Sequence, residues 1–233
     1  MSTPRRRSLS RDRIVDAAMS LADRHGLAGL SMRQVAAALR CEVMSLYNHV
    51  ANKDDLLDGM LDRVYADIAD PSDGVHWRAA VRDLAVAAHE ALVGHPWASE
   101  LVTSRLPGPA RRRHAEHLLR VLADAALPED VADLGFHAIM IHVQGFTHQQ
   151  VGYEQMMRSG RARPDRRLGD VDAEEFPFFA AHLRYHEQQG HRADDFGFVL
   201  DLILDGLERA ARPTARPAAR STTRRRAGRS SGA

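Results

Sequence analysis

Residues 31–50 read Ser31-Met32-Arg33-Gln34-Val35-Ala36-Ala37-Ala38-Leu39-Arg40-Cys41-Glu42-Val43-Met44-Ser45-Leu46-Tyr47-Asn48-His49-Val50, and their spacing decides the fold. Ser31 with Gln34 three residues on is a capping box, in which the two side chains satisfy backbone N–H groups that a helix start leaves orphaned. Leu30 and Val35 flank it as a hydrophobic staple. A helix therefore starts at Met32, and Val35, Ala36 and Leu39 give it an inward face. Only Arg40 and Cys41 interrupt the pattern before a second short one, Val43, Leu46, Tyr47 and Val50. The stretch predicts two short helices joined by a tight turn, the second running over about Glu42 to Val50.

Working outward, Ser10 begins a helix that runs to about His25, with Ile14, Ala17, Ala18, Leu21 and Ala22 on one face and Gly26 closing it. Asn52-Lys53-Asp54-Asp55 supplies a cap and first-turn acids for a fourth helix, which carries Leu56, Leu57, Met60, Leu61 and Val64 until Pro71 stops it. Beyond it the chain reads as helices over Trp77 to Val93, a short one after Pro96, Ala110 to Ala126, Glu129 to Tyr153, Ala173 to Gln189 and Arg192 to Ala211. No run alternates with period two. The fold class expected is all-α, a three-helix helix-turn-helix domain followed by a larger helical domain.

The 233 residues are 44% hydrophobic and 27% charged, the composition of a folded globular chain. The longest stretch free of Asp, Glu, Lys and Arg, Leu134 to Tyr153, is broken by three His, three Gln and a Thr, so no transmembrane helix is expected. Arg5-Arg6-Arg7 precedes Arg11-Asp12-Arg13 and no apolar core follows, so no secretory signal is read and a cytoplasmic protein is expected. A lone cysteine, Cys41, allows neither an internal disulfide nor a cysteine-clustered zinc site. The formal net charge of +1 conceals basic ends around an acidic middle: seven arginines and no acid lie beyond Ala211. The organisation read from this is a basic arm over 1–9, the helix-turn-helix domain with a linking helix over 10–70, a helical domain over 71–211 and a disordered Arg-rich tail over 212–233. The tail is read either as extra nonspecific DNA affinity or as a solubilising extension. Residues 158–170, rich in Arg, Gly and Pro, are expected to form a mobile loop.

Leu30-Ser31-Met32-Arg33-Gln34-Val35-Ala36, Ser45-Leu46-Tyr47-Asn48-His49-Val50 and Asn52-Lys53-Asp54-Asp55-Leu56-Leu57 form an ordered series that resembles the DNA-binding domain of TetR-family transcriptional regulators. The resemblance covers roughly residues 10–57. It departs at Arg40-Cys41, where the family often places a glycine, so Arg40 is expected to tolerate an unusual backbone conformation or to sit in a slightly different turn. A recognition helix in the major groove follows, with the preceding helix across the phosphate backbone. Glu42 can accept from cytosine N4, while Val43 and Met44 suit thymine methyl groups or sugars. Ser45, Tyr47, His49 and Lys53 match family positions that contact phosphate, and Ser31 and Arg33 lie at a helix N-terminus that attracts phosphate. Tyr47 is read alternatively as a core residue, and Lys53 as a solvated helix start.

From Trp77 onward, most visibly over Ala193 to Glu208, the chain resembles the larger domain of the tetracycline repressor branch. There the last helix pairs with the long central one in a four-helix bundle across a two-fold axis, which implies a homodimer here. Phe196, Val199, Leu200, Ile203, Leu204 and Leu207 are the candidate interface, with Gly145 and Gly206 permitting close approach. Packing wholly within one chain is the alternative. A pocket for a small-molecule effector is expected from Trp97, Leu101, Leu122, His137, Met140, Gln144, His148 and Phe179, each of which ordinary core packing also explains. The tetracycline branch uses a histidine to help hold a metal-bound drug. An alignment through Thr103-Ser104-Arg105 puts Leu101 at that position, so induction by tetracycline is not expected.

His182 and His186 lie four apart, and His114 and His117 three apart, yet neither His-Glu-x-x-His nor a His-Asp dyad occurs, and nucleophile-elbow, P-loop and dinucleotide fingerprints are absent. No catalytic residue, metal or cofactor is expected. The function read is a repressor released from a pseudo-palindromic DNA operator by an effector. An activator, control by a protein partner, and a helical metal-dependent enzyme remain as alternatives.

Overall fold

A computed structural model describes residues 8–70, 74–159, 171–189 and 195–211, and among them ten α-helices and no strands. Helices α1 (Arg11–His25), α2 (Met32–Leu39), α3 (Val43–Leu46) and α4 (Lys53–Ala66) form the N-terminal unit. Helices α5 (Trp77–Gly94), α6 (Ala98–Leu101), α7 (Pro109–Asp124), α8 (Glu129–Arg158), α9 (Pro177–Gln189) and α10 (Asp195–Ala211) form the larger one. Residues 1–7 of the basic arm, most of the loop expected over 158–170 and the Arg-rich tail lie outside the described residues. No described helix is long and apolar enough to cross a membrane.

Helix starts follow the local chemistry of the sequence. The side chains of Ser10, Ser31 and Asn52 accept from the N–H groups of Arg13, Gln34 and Asp55, and each of these cap residues has extended backbone. Gly26, at φ 68°, closes α1. Arg40 ends α2 in the left-handed region at φ 54°, ψ 48°, the unusual conformation expected where the family places glycine. Its N–H and that of Cys41 bond back to the carbonyls of Ala37 and Ala36, which closes the helix end.

Boundaries moved where turns outcompete periodicity. Helix α3 is one turn, ending at Leu46 where a helix to Val50 is expected, because the N–H groups of His49 and Val50 both fold back onto the Leu46 carbonyl. Helix α4 ends at Ala66, ahead of Pro71. Helix α9 starts at Pro177, not Ala173: the Asp172 carboxylate accepts from the N–H groups of Glu174 and Glu175 to make a turn, and proline suits the first helical position. Helix α8 continues past Tyr153 to Arg158, aided by the Glu154–Arg158 ion pair one turn apart, at 2.6 Å.

One hydrophobic core runs through both units. Ile14, Leu46, Leu56, Met60 and Leu61 fill the N-terminal end, while Leu92, Trp97, Leu118, Leu122, Ile139, Leu200 and Leu204 fill the bundle. Helices α8 and α10 pack most closely where a Cβ on Gly135 would lie 2.8 Å from Leu207, so this glycine, rather than Gly145 or Gly206, permits the approach inside the chain. Among the described residues, nothing lies within 4 Å of the Cβ positions of Gly145 and Gly206.

The left-handed turn makes a stability prediction. Arg40→Gly relieves an L-residue from φ 54°, partly offset by the greater freedom of glycine in the unfolded chain, and should raise stability by about 0.5–1 kcal/mol. Thermal unfolding checks it; a lower midpoint would mean that the arginine side chain itself holds the turn.

Candidate nucleic-acid interface

Helix α3 divides its residues cleanly. Leu46 and Val50 are buried and anchor it to the N-terminal core, whereas Met44 is 73% exposed and Tyr47 42% exposed. Glu42 is also exposed, and Val43, Ser45 and His49 are half-buried. Tyr47 therefore belongs to the surface and not to the three-helix core. At the start of α2, Ser31 and Arg33 are exposed, and the Ser31 hydroxyl donates to Gln34 Oε1 at 2.8 Å. Lys53 reaches across the fold, its ammonium donating to the Leu30 carbonyl at 2.8 Å, which brings it beside the Ser31 cap. The candidate residues of both helices thus lie in one continuous stretch of surface-reaching backbone, α2, turn and α3.

What holds this surface in place was not anticipated. Arg11 on α1 makes a fork to the Asp55 carboxylate at 2.9 and 2.6 Å and also donates to the carbonyls of His49 and Asp55. The same carboxylate accepts the Ala51 N–H at 2.8 Å. Arg11 and Asp55 together pin the segment that leaves the recognition helix. Asp55 lies below the usual carboxylate range, first because of the Arg11 hydrogen bond and then because of the Ala51 N–H, with desolvation opposing both.

Helix α4 then presents three carboxylates, four residues apart, to the larger unit. Arg105 donates to Asp54 at 2.6 Å and to Asp58 at 2.7 Å. Asp62 accepts the N–H groups of Ala110 and Arg111 at 2.8 and 3.1 Å, capping a helix whose own cap residue, Gly108, has no side chain. Behind it, Asp23 of α1 accepts from Trp97 Nε1 at 2.6 Å and lies 2.9 Å from His95 Nδ1. The spacing Asp54, Asp58, Asp62 is the signal that a sequence reading could have used.

The expected effector residues differ in exposure. Trp97, Leu101 and Leu122 are core residues, Trp97 tied to Asp23. His137 and His148 are exposed on the outer face of α8, the former 3.9 Å from Asp133. Met140 and Gln144 are half-buried, and Phe179 is exposed on α9. The interior of the bundle instead holds Phe196 stacked between His89 and His142, with ring centroids at 4.0 and 4.6 Å. His89 Nδ1 lies 2.7 Å from Thr147 Oγ1, and His142 Nε2 lies 3.0 Å from the Phe196 carbonyl. Desolvation lowers both histidine pKa values, and for His89 the proximity of His142 adds to it. Among the described residues no group of three or more His, Cys, Asp or Glu side chains could hold a metal, and the side chain of His186 lies outside them.

The candidate dimer stripe on α10 also divides. Phe196, Leu200, Leu204 and Leu207 are buried within the chain against its own core. Val199 and Ile203 remain partly open. The exposed large apolar side chains of these two helices include Phe198, Val199 and Leu202 on α10 and Leu134 and Ile141 on α8, the last 70% exposed.

An acid titration tests the Arg11–Asp55 clamp. A carboxyl whose folded pKa is depressed contributes stability that is present above its unfolded value, about 4, and is lost as the pH falls through the folded value. Both groups are solvent-screened, so the contribution is about 0.5–1 kcal/mol. Asp55→Asn should therefore unfold more easily than the wild type at neutral pH and lose less stability on acidification; parallel pH profiles would remove the pair from the stability argument.

Two family models cover most of the chain. That of bacterial regulatory proteins of the tetR family matches residues 14–60, and that of the tetracyclin repressor-like C-terminal domain matches residues 70–211. The HTH-type transcriptional repressor DrrR1 of Streptomyces coeruleorubidus is 37% identical over 222 residues, spanning 86% of this chain and 78% of its own length. Among solved structures, a possible TetR family transcriptional regulator from Streptomyces coelicolor A3(2) has a TM-score of 0.74 at 29% identity, over 87% of this chain and 100% of that one. ActR from Streptomyces coelicolor, in complex with actinorhodin, has a TM-score of 0.72 at 26% identity, over 87% of this chain and 96% of its own. With both of its units matched in order and a relative aligned along most of its length, the chain belongs to the TetR family of bacterial regulatory proteins.

Proposed function

We propose that the chain is a transcriptional repressor that binds a two-fold symmetric DNA operator as a homodimer and releases it when a small organic effector enters the helical domain. The observation that carries the reading is the division of the segment Glu42 to Val50 around α3, with Leu46 and Val50 buried and Glu42, Met44 and Tyr47 exposed. A single exposed turn of helix with mixed polar and apolar groups suits the major groove. In this reading Glu42 accepts from cytosine N4, and Val43 and Met44 contact thymine methyl groups or sugars. Ser31, Arg33, Ser45, Tyr47, His49 and Lys53 contact the phosphate backbone and set register and affinity.

The exposed apolar residues of α8 and α10 support a homodimer, since Phe198, Leu202, Leu134 and Ile141 are large side chains left uncovered by their own chain. Two recognition helices must then stand about 34–36 Å apart to enter successive major grooves. An effector weakens operator binding by its differential affinity for a state with another spacing, and the carboxylates of α4 are the route by which the helical domain moves α3. Similarity to ActR, solved with actinorhodin, supports an organic effector. Leu101 stands where the tetracycline branch has its metal-supporting histidine, which argues against tetracycline itself.

Selection from a random DNA pool by the purified protein, followed by comparison of the recovered duplex with a scrambled one at fixed salt, tests the reading. A palindromic site preferred by at least about a thousandfold is expected. Glu42→Ala should relax the choice at one base pair in each half-site, at a cost of about 1–3 kcal/mol there. Salt-sensitive binding that ignores sequence would sink the repressor reading. On the recovered duplex, micromolar tetracycline should leave the affinity unchanged.

A further inference from the structure

The contact between α4 and α7 encloses a polar cavity. Tyr65, near the end of α4, and His114, on α7, are each 4% exposed, and their rings meet edge to face with centroids 5.5 Å apart. The phenol oxygen of Tyr65 and Nδ1 of His114 are both buried, and neither has a hydrogen-bond partner among the described residues. Buried polar groups are nearly always paired, with protein or with an ordered ligand or water. Both residues line a cavity of about 70 Å³, together with Ile68, Ala110, Asp70 and His117.

The surroundings define what fits. Burial pushes the phenol up to about 12 and the imidazole down to about 4, so both are neutral at neutral pH. Asp70 and His117 engage each other at 3.0 Å, and Arg113 is exposed at the mouth, while the guanidinium of Arg111 lies over the Tyr65 ring at 5.7 Å. The innermost groups are thus a hydroxyl that can donate or accept and a ring nitrogen whose tautomer allows either. A water molecule occupies about 30 Å³ in the liquid, so the space holds roughly two waters or one small hydroxylic fragment.

We propose that this cavity is a binding site for a neutral hydroxylic oxygen, carried by ordered water or by an alcohol as small as methanol, which bridges Tyr65 Oη and His114 Nδ1 and completes the contact between α4 and α7. The oxygen donates to one of the two atoms and accepts from the other. Because α4 leads back to the recognition helix, the site lies at the mechanical junction of the two units, yet it stands on its own geometry and not on how DNA is read.

The sign of one substitution tests it. In full-length protein dialysed free of organic solutes, Tyr65→Phe breaks a bridged site and strands His114, whereas in an empty cavity it removes an orphaned polar group. A thermal midpoint lower by a few degrees is expected, and identifies the oxygen as water's. If the dialysed variant is equal to or above wild type, but added methanol raises the wild-type midpoint and not that of Tyr65→Phe, the oxygen is an organic hydroxyl's. No fall and no methanol response overturns the proposal. The double variant Tyr65→Phe, His114→Leu separates bridging from simple packing loss. Bridged partners give a double effect well below the sum of the singles, while additive losses also overturn the proposal. The measurement uses no DNA, so its failure leaves the repressor reading untouched.

Discussion

Three carboxylates on one helix hold the two units of this chain in register. Asp54 and Asp58 grip the fork of Arg105, and Asp62 takes over the cap of α7 from a glycine that cannot make one. None of these contacts is strong alone; exposed ion pairs contribute about 1 kcal/mol or less, and a cap about 1. Their value lies in direction. Spaced at four residues, they all sit on the same face of α4, so a shift of α7 or of the Arg105 loop is felt along the whole helix and not at one end. The first turn of α4 is also locked to α1 by Arg11 and Asp55, and this lock holds the backbone leaving α3. Contacts from α7 and Arg105 to α4, and from α4 to α1 and the backbone leaving α3, therefore form one unbroken path.

The locally determined parts of the fold were legible. Ser31 and Gln34 announce a helix start by chemistry that needs only neighbours, and the structure has that cap. Arg40 was readable for the same reason, since a turn that favours glycine imposes a left-handed conformation on whatever replaces it. The ends of α3 and α9 were less so, because they depend on which of two competing carbonyls or carboxylates an N–H chooses.

Helix phase was the harder problem. Residue types suggested His137, His148 and Phe179 for a pocket, but their phase puts them outside, while Ile139, His142, Val143 and Thr147 face inward. On α10 the apolar residues occupy two faces. Phe196, Leu200, Leu204 and Leu207 close the core, whereas Phe198 and Leu202 point away from it. The apolar stripe of α10 thus divides between residues buried within the chain and residues left exposed. The Arg105 and Asp62 contacts join residues about fifty positions apart, and no local pattern announces such a pairing, although the four-residue spacing of the acids hints that one face of α4 is reserved.

Gly108 carries a consequence for the junction. A Cβ there would fall 2.5 Å from the Asp62 carboxylate oxygen and 2.7 Å from its carbon, nearer than real atoms stand. Any side chain at this position would push the Asp62 carboxylate away from the N–H groups of Ala110 and Arg111 that it caps. The bare backbone is thus what lets a carboxylate of α4 reach the start of α7, and a larger residue would unseat one helix from the other.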